Sequence, residues 1–167
     1  MGRVSTKENK NAFQIAREEK NWSREKAADE IALIEKGFYS YLDKNRLYKI
    51  EEESVKITAE DIVALSKAYN KPELRNYYCC NYCDIGAEDA PEVEIDSGVH
   101  EILVNMAVSL KTVNHNKIRL MEILGDGKVS EEEKEEFYQI SNELENISAT
   151  VESLQLWCEK MKIKMKE

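Results

Sequence analysis

The sequence predicts an all-α fold in two parts, a set of five short helices followed by one long antiparallel helical hairpin. Three observations predict it. Six Gly and two Pro in 167 residues are too few for a turn-dense β architecture. Apolar residues recur in steps of three and four along most of the chain. Residues that favour helix N-caps stand just ahead of several of those periodic runs. A hydrophobic content of 42% beside 34% charged residues suits a helical protein with a core of its own.

A first helix is predicted over 9–21, with Ala12, Phe13, Ala16 and the stem of Lys20 on one side. Ser23 is placed to cap a second helix, which can run through Ala32, Leu33 and Ile34 to a stop at Gly37. An aromatic connection, Phe38-Tyr39-Ser40-Tyr41, leads to Asp43, the cap of a short third helix over 44–52 with Leu47 and Ile50 inward. Thr58 with Asp61 resembles a capping box opening a fourth helix, with Ile62, Leu65 and Tyr69 inward. Pro72 suits the start of a fifth, carrying Leu74, Tyr77 and Tyr78 into Cys79-Cys80.

An acidic stretch with Gly86 and Pro91 reads as a linker, so the predicted organisation is 1–83, a linker over 84–97, and 98–167. In the last segment, apolar positions 99, 103, 106, 110, 113, 120 and 124 follow helical spacing up to Gly125-Asp126-Gly127. Ser130 and Glu133 form a capping box ahead of a helix running from 131 past 161. Phe137, Ile140, Leu144, Ile147, Val151, Leu154, Cys158 and Met161 alternate along it in threes and fours, a sustained heptad pattern. Two long helices joined by a tight turn are expected to lie antiparallel and share their apolar stripes.

Charge is unevenly spread. Residues 1–78 carry 15 Lys/Arg against 14 Asp/Glu, whereas residues 79–167 carry 9 against 19. Phosphate would repel the second segment, so a polyanionic partner has to meet the first. No apolar run approaches the ~20 residues of a membrane span, and the Met-Gly-Arg-Val-Ser-Thr start lacks an apolar leader. Four Cys without such a leader are expected as reduced thiols in a cytoplasmic protein.

Several strings occur in an informative order: Ser23-Arg24-Glu25-Lys26-Ala27-Ala28, Leu47-Tyr48-Lys49-Ile50-Glu51, Pro72-Glu73-Leu74-Arg75-Asn76-Tyr77-Tyr78-Cys79 and Cys83-Asp84-Ile85-Gly86. Asp126-Gly127-Lys128-Val129-Ser130 with Glu133, then Leu154 with Leu156-Trp157, complete the series. Together they resemble the phage Cro and repressor-like (XRE) class of helix-turn-helix proteins, in its Firmicutes type, over nearly the whole chain. The resemblance implies a repressor-like five-helix helix-turn-helix domain, double-stranded DNA as partner, and sequence-specific transcriptional regulation. A homodimer is expected from the 98–167 hairpin as dimerisation region, because Val108, Ile118, Leu156 and Trp157 lie off its seam and are apolar. One departure stands out. Ala28 precedes Leu47 by 19 residues, more than the usual motif has, with the extra residues at about 32–40. A lengthened second helix or an enlarged turn follows, and either alters how the third helix is presented.

Lys44, Asn45, Arg46 and Lys49 are the candidate DNA-binding residues. Arg and Lys can donate to guanine O6 and N7, and Asn can pair with adenine, from a helix anchored by Leu47 and Ile50. The plain alternative is a solvated polar face on a core-packing helix. Functionally, the competing reading is a protein-interaction module that keeps the scaffold without DNA binding, favoured by the insertion and by the acidic second segment.

Cys79, Cys80 and Cys83, with His100 or His115, could supply a zinc site or a thiol sensor, but only Cys80 and Cys83 have metal-type spacing and no second Cys pair exists. They read more simply as small buried hydrophobes, and no metal or cofactor is expected. Gly125-Asp126-Gly127 superficially suggests a calcium loop, but aligning Glu133 as its last ligand puts Leu124 at a ligand position. Trp22, Trp157 and the tyrosines read as core or interface, with Tyr39 and Tyr41 brought near the third helix by the insertion. No phosphate loop, nucleophile elbow or His-Glu-x-x-His occurs, so an enzyme is not expected.

Overall fold

The computed structural model describes residues 10–91, 93, 99–125 and 127–165, apart from the side chains of 35, 36, 114 and 115. The fold is all-α, with no strand among the described residues. Its helices are α1 (Ala12–Glu19), α2 (Arg24–Ala32), α3 (Lys44–Glu51), α4 (Ala59–Tyr69), α5 (Glu73–Tyr82), α6 (Gly86–Asp89), α7 (Val99–Ile123) and α8 (Lys134–Lys164). The chain divides into two compact units, Met1–Ala90 with Ile163–Glu167, and Pro91–Lys162. Among the described residues no helix is long and apolar enough to cross a membrane.

Four side-chain caps fix the starts of the first four helices. Asn11, Ser23, Asp43 and Thr58 each accept from a backbone N–H three residues on, satisfying donors that the first turn leaves unpaired. Thr58 and Asp61 form the reciprocal capping box, so Asp does here what Glu usually does. The core of this unit is Phe13, Ala16, Ala27, Ile31, Leu47, Ile50, Ile62, Leu65, Tyr69 and Leu74, drawn from α1 to α5. Phe13 also packs edge-on to Tyr77 at 5.7 Å, which holds α5 against α1.

The extra residues between α2 and α3 form an enlarged turn, not a longer helix. A short 3₁₀ segment, Ile34–Gly37, follows α2, and Gly37 takes a left-handed φ of +85° that reverses the chain. Tyr39 and Leu42 plug the turn into the core, while Leu33 and Phe38 stay in solvent. The expected linker begins differently too. Its first residues form α6, which packs against α5, and 92 and 94–98 lie outside the described residues.

In the second unit, the Arg119 guanidinium donates to both Glu136 carboxylate oxygens at 2.7 and 2.6 Å, and Asn116 donates to Glu143. Rising numbers on α7 meet falling numbers on α8, so the helices are antiparallel. Among the described side chains of α7, Ile102, Asn116 and Ile123 are buried, with Met106, Ser109, Val113 and Leu120 half-buried between them. The seam therefore runs 102, 106, 109, 113, 116, 120, 123. Of the predicted α7 stripe, 106, 113 and 120 lie on it, whereas Leu103, Leu110 and Leu124 sit one position away and are exposed. On α8, Ile140 is buried and Leu144 and Val151 are exposed. Periodicity merged two neighbouring stripes into one, because the seam carries Ser109 and Asn116 while leucines stand beside it.

The turn into α8 also differs from expectation. Glu133 accepts the Ser130 amide at 3.0 Å, but residues 131–133 form a turn and the α-helix opens at Lys134.

Candidate nucleic-acid interface

α3 is anchored at both ends by polar groups. At its C-terminus Glu51, 2% exposed, accepts from Arg17 Nε at 2.6 Å, Arg17 Nη2 at 3.0 Å and Arg24 Nε at 2.8 Å. Arg17 also donates to the Trp22 carbonyl at 2.6 Å. A buried carboxylate is tolerable because two guanidinium groups surround it. The charge of Glu51 is felt nearby: burial first, and then Glu51, push the Tyr69 phenol upward. Asn11 adds a neutral clamp. Its Oδ1 caps α1, while its Nδ2 donates to the Ile50 and Glu51 carbonyls at 2.9 and 3.4 Å, two of the orphan acceptors that end α3.

At the other end, Arg46 turns toward α4. Its Nη2 donates to Asp61 Oδ2 at 2.6 Å and to the Lys56 carbonyl at 3.1 Å. Arg46 was expected to project outward as a reader. It is four residues before Ile50, so the two share a side of the helix, and a fully buried Asp61 lies within its reach. The outward placement of Arg46 is thereby corrected: the side chain positions α3.

The remaining expected residues do face solvent. Lys44, Asn45 and Lys49 are exposed, together with Tyr48; Asn45, Tyr48 and Lys49 form one stripe away from Leu47 and Ile50, with Lys44 at its edge. The enlarged turn leaves this stripe uncovered. Tyr48 was missed, although the spacing that puts Leu47 and Ile50 inward also puts 48 outward. The Arg24 guanidinium lies over the Tyr48 ring at 5.1 Å, joining α2 to the stripe. Lys44 pairs with Glu25 across the two helices, and holds that carboxyl below the usual carboxylate range. The surface is thus cationic at Lys44, Lys49 and Arg24, with acids as close neighbours.

Of the two tyrosines in the inserted turn, Tyr39 is buried beneath Lys67, whereas Tyr41 is exposed. Beside the C-terminus of α3, a cleft of about 370 Å³ opens over Phe13, Ile50 and Ile57, with Tyr82 donating to Glu53 at its rim.

Cys79 and Cys80 lie on α5 and Cys83 ends it; all three are half-buried. Cys80 Sγ makes long contacts to Asn76 Oδ1 and the Ala90 carbonyl, 3.8 and 3.6 Å. Among the described residues, no three His, Cys, Asp or Glu side chains converge as metal ligands. His100 is exposed, while the His115 side chain and Asp126 lie outside the described residues. Gly86 has a packing role: a Cβ there would come within 2.5 Å of the Cys79 carbonyl oxygen.

Comparison with protein-family models, characterised proteins and solved structures finds no match for the chain.

Proposed function

We propose that the protein is a sequence-specific, double-stranded-DNA-binding transcriptional regulator, not an enzyme, acting in the cytoplasm as a homodimer. In this reading α2 and α3 are a helix-turn-helix pair of the XRE type with an enlarged turn. The observation that carries it is the exposed stripe Lys44, Asn45, Tyr48 and Lys49 on a helix clamped at both ends. A reading helix needs donors outward and a rigid seat, since loosely held side chains lose discrimination between bases. Asn45 and Lys49 supply hydrogen-bonding chemistry for base edges, Lys44 and Arg24 supply phosphate contacts, and Tyr48 supplies an aromatic surface. The hairpin of α7 and α8 supplies dimerisation, which sets half-site spacing.

A second reading, a protein-interaction module on the same scaffold, is favoured by one observation. Leu33 and Phe38 are 76% and 66% exposed in the enlarged turn, beside a stripe whose Lys44 already has an acidic partner. Selection from a random duplex pool at low salt separates the two. Enrichment of a motif by the wild-type chain, lost in Asn45→Ala/Lys49→Ala, supports the regulator. Retardation of no selected duplex rejects it in favour of the interaction module.

A further inference from the structure

The hairpin has two unlike sides. Its seam positions on α7 are followed, one residue on, by 103, 107, 110, 114, 117, 121 and 124; those on α8 that bond or face α7, such as 136, 140, 143, 147 and 150, are followed by 137, 141, 144, 148 and 151. One residue turns a helix by about 100°. Antiparallel helices facing each other reverse both direction and facing, and the two reversals cancel. Both sets therefore fall on the same side of the hairpin. Leu103, Leu110, Met121 and Leu124 of α7 and Leu144 and Val151 of α8 stand there at 41–68% exposure. The opposite side is more polar. It holds a cleft of about 400 Å³ lined by Asn105, Ser109, Asn146, Thr150 and Ser153, with Val108, 62% exposed, and Ala149 among them.

We infer that this apolar side is the surface on which a second copy of the chain docks, hairpin against hairpin, to make a four-helix bundle. The inference rests on the dimer reading above and names its face. Three features select a second copy. First, apolar residues recur at heptad spacing on both helices, 103, 110 and 124 on one and 137, 144 and 151 on the other, which is the spacing that another helical pair matches. Second, at ~1.5 Å per residue and roughly 10 Å per helix the side measures about 32 by 20 Å, so pairing two copies buries on the order of 1,200 Å², within the range of specific interfaces. Third, residues 79–167 carry 19 acids against 9 bases, yet no acid occupies the stripe positions and Lys117 is their single charge. Two copies of an acidic hairpin can meet on this side without opposing carboxylates, and an isologous contact uses the same side twice.

Light scattering of the full chain at tens of micromolar tests it. The wild type is expected at twice the 19.3 kDa chain mass, and Leu110→Asp/Val151→Asp at 19.3 kDa with its helical circular dichroism retained. Asn105→Asp/Asn142→Asp places the same charges on the polar side and is expected to stay dimeric. Leu110→Ala/Val151→Ala adds no charge and is expected to weaken the dimer at least tenfold, which reads the face even if the Asp variant unfolds. A wild-type dimer left intact by both face variants overturns the face while sparing the dimer. A wild-type monomer overturns the dimer reading itself.

Discussion

Arg46 and Asp61 are joined by a 2.6 Å ion pair that ties the first half of α3 to the first turn of α4. Asp61 Oδ2 also accepts the Thr58 amide, so one oxygen closes a capping box and holds the helix next to it. Removing the guanidinium leaves a fully buried carboxylate with less compensation. Arg46→Ala is therefore expected to destabilise the fold by roughly 1–3 kcal/mol. Because the two groups act together, Arg46→Ala/Asp61→Asn should cost less than the sum of the single changes, by ~0.5 kcal/mol or more. Urea unfolding of the four proteins measures this; strict additivity would detach Arg46 from α4.

Glu51 is the deeper anchor. With two arginines donating to it, its loss would leave Arg17, itself 5% exposed, with the more distant Glu18 carboxylate at 3.7 Å in place of two short hydrogen bonds. Glu51→Ala is expected to cost about 3–5 kcal/mol, the penalty for breaking a buried pair from one side. Glu51→Gln keeps the shape and an acceptor oxygen and should cost less. Denaturant midpoints decide it, and a Glu51→Ala protein as stable as wild type would show that the network contributes nothing net.

These anchors mark where the sequence stopped being legible. The caps at Ser23, Asp43 and Thr58 were readable because capping is local, a side chain serving a backbone group three residues away. The inward set Leu47 and Ile50 was readable from spacing. Arg46 was not: it was expected outward, because its partner is 15 residues on and belongs to another helix, and no local pattern shows a buried acid there. Glu51 shows the same limit, since acids on a helix usually face water and nothing local distinguishes one held by Arg17 and Arg24. In the hairpin, the seam holds Ser109 and Asn116 while leucines stand beside it. A hydrophobic pattern followed the leucines and so followed two stripes at once.

Gly86 and Cys79 give a prediction for the short helix after α5. A methyl group at 86 would meet Cys79 backbone atoms at 2.5–2.9 Å, and backbone cannot swing aside as a side-chain end can. Gly86→Ala is expected to lift α6 from α5, at a cost of ~1–3 kcal/mol from overpacking. It should also free the Cys80 thiol from the Ala90 carbonyl. Faster reaction of the α5 thiols with a disulfide reagent, located by mass spectrometry of the modified peptides, is the readout. Unchanged rates would mean that α6 does not shield them.

The outward stripe of α3 makes a separate prediction, one that stability cannot mimic. Lys44, Asn45, Tyr48 and Lys49 are exposed, so replacing any of them with Ala should move stability by no more than about 0.5 kcal/mol. Their effects on DNA should differ by chemistry. A lysine that neutralises a phosphate contributes equally on every sequence, and its removal should flatten the dependence of log K on log salt by about 0.9 for each phosphate no longer neutralised. Asn45, if paired to an adenine edge, should instead leave the salt slope unchanged and lose roughly 1–3 kcal/mol of preference at one base pair. Salt titrations of Lys44→Ala, Lys49→Ala and Asn45→Ala on a selected duplex and on a scrambled one separate the two behaviours. Equal losses for all three on both duplexes would place α3 on the phosphate backbone and move base reading to another element.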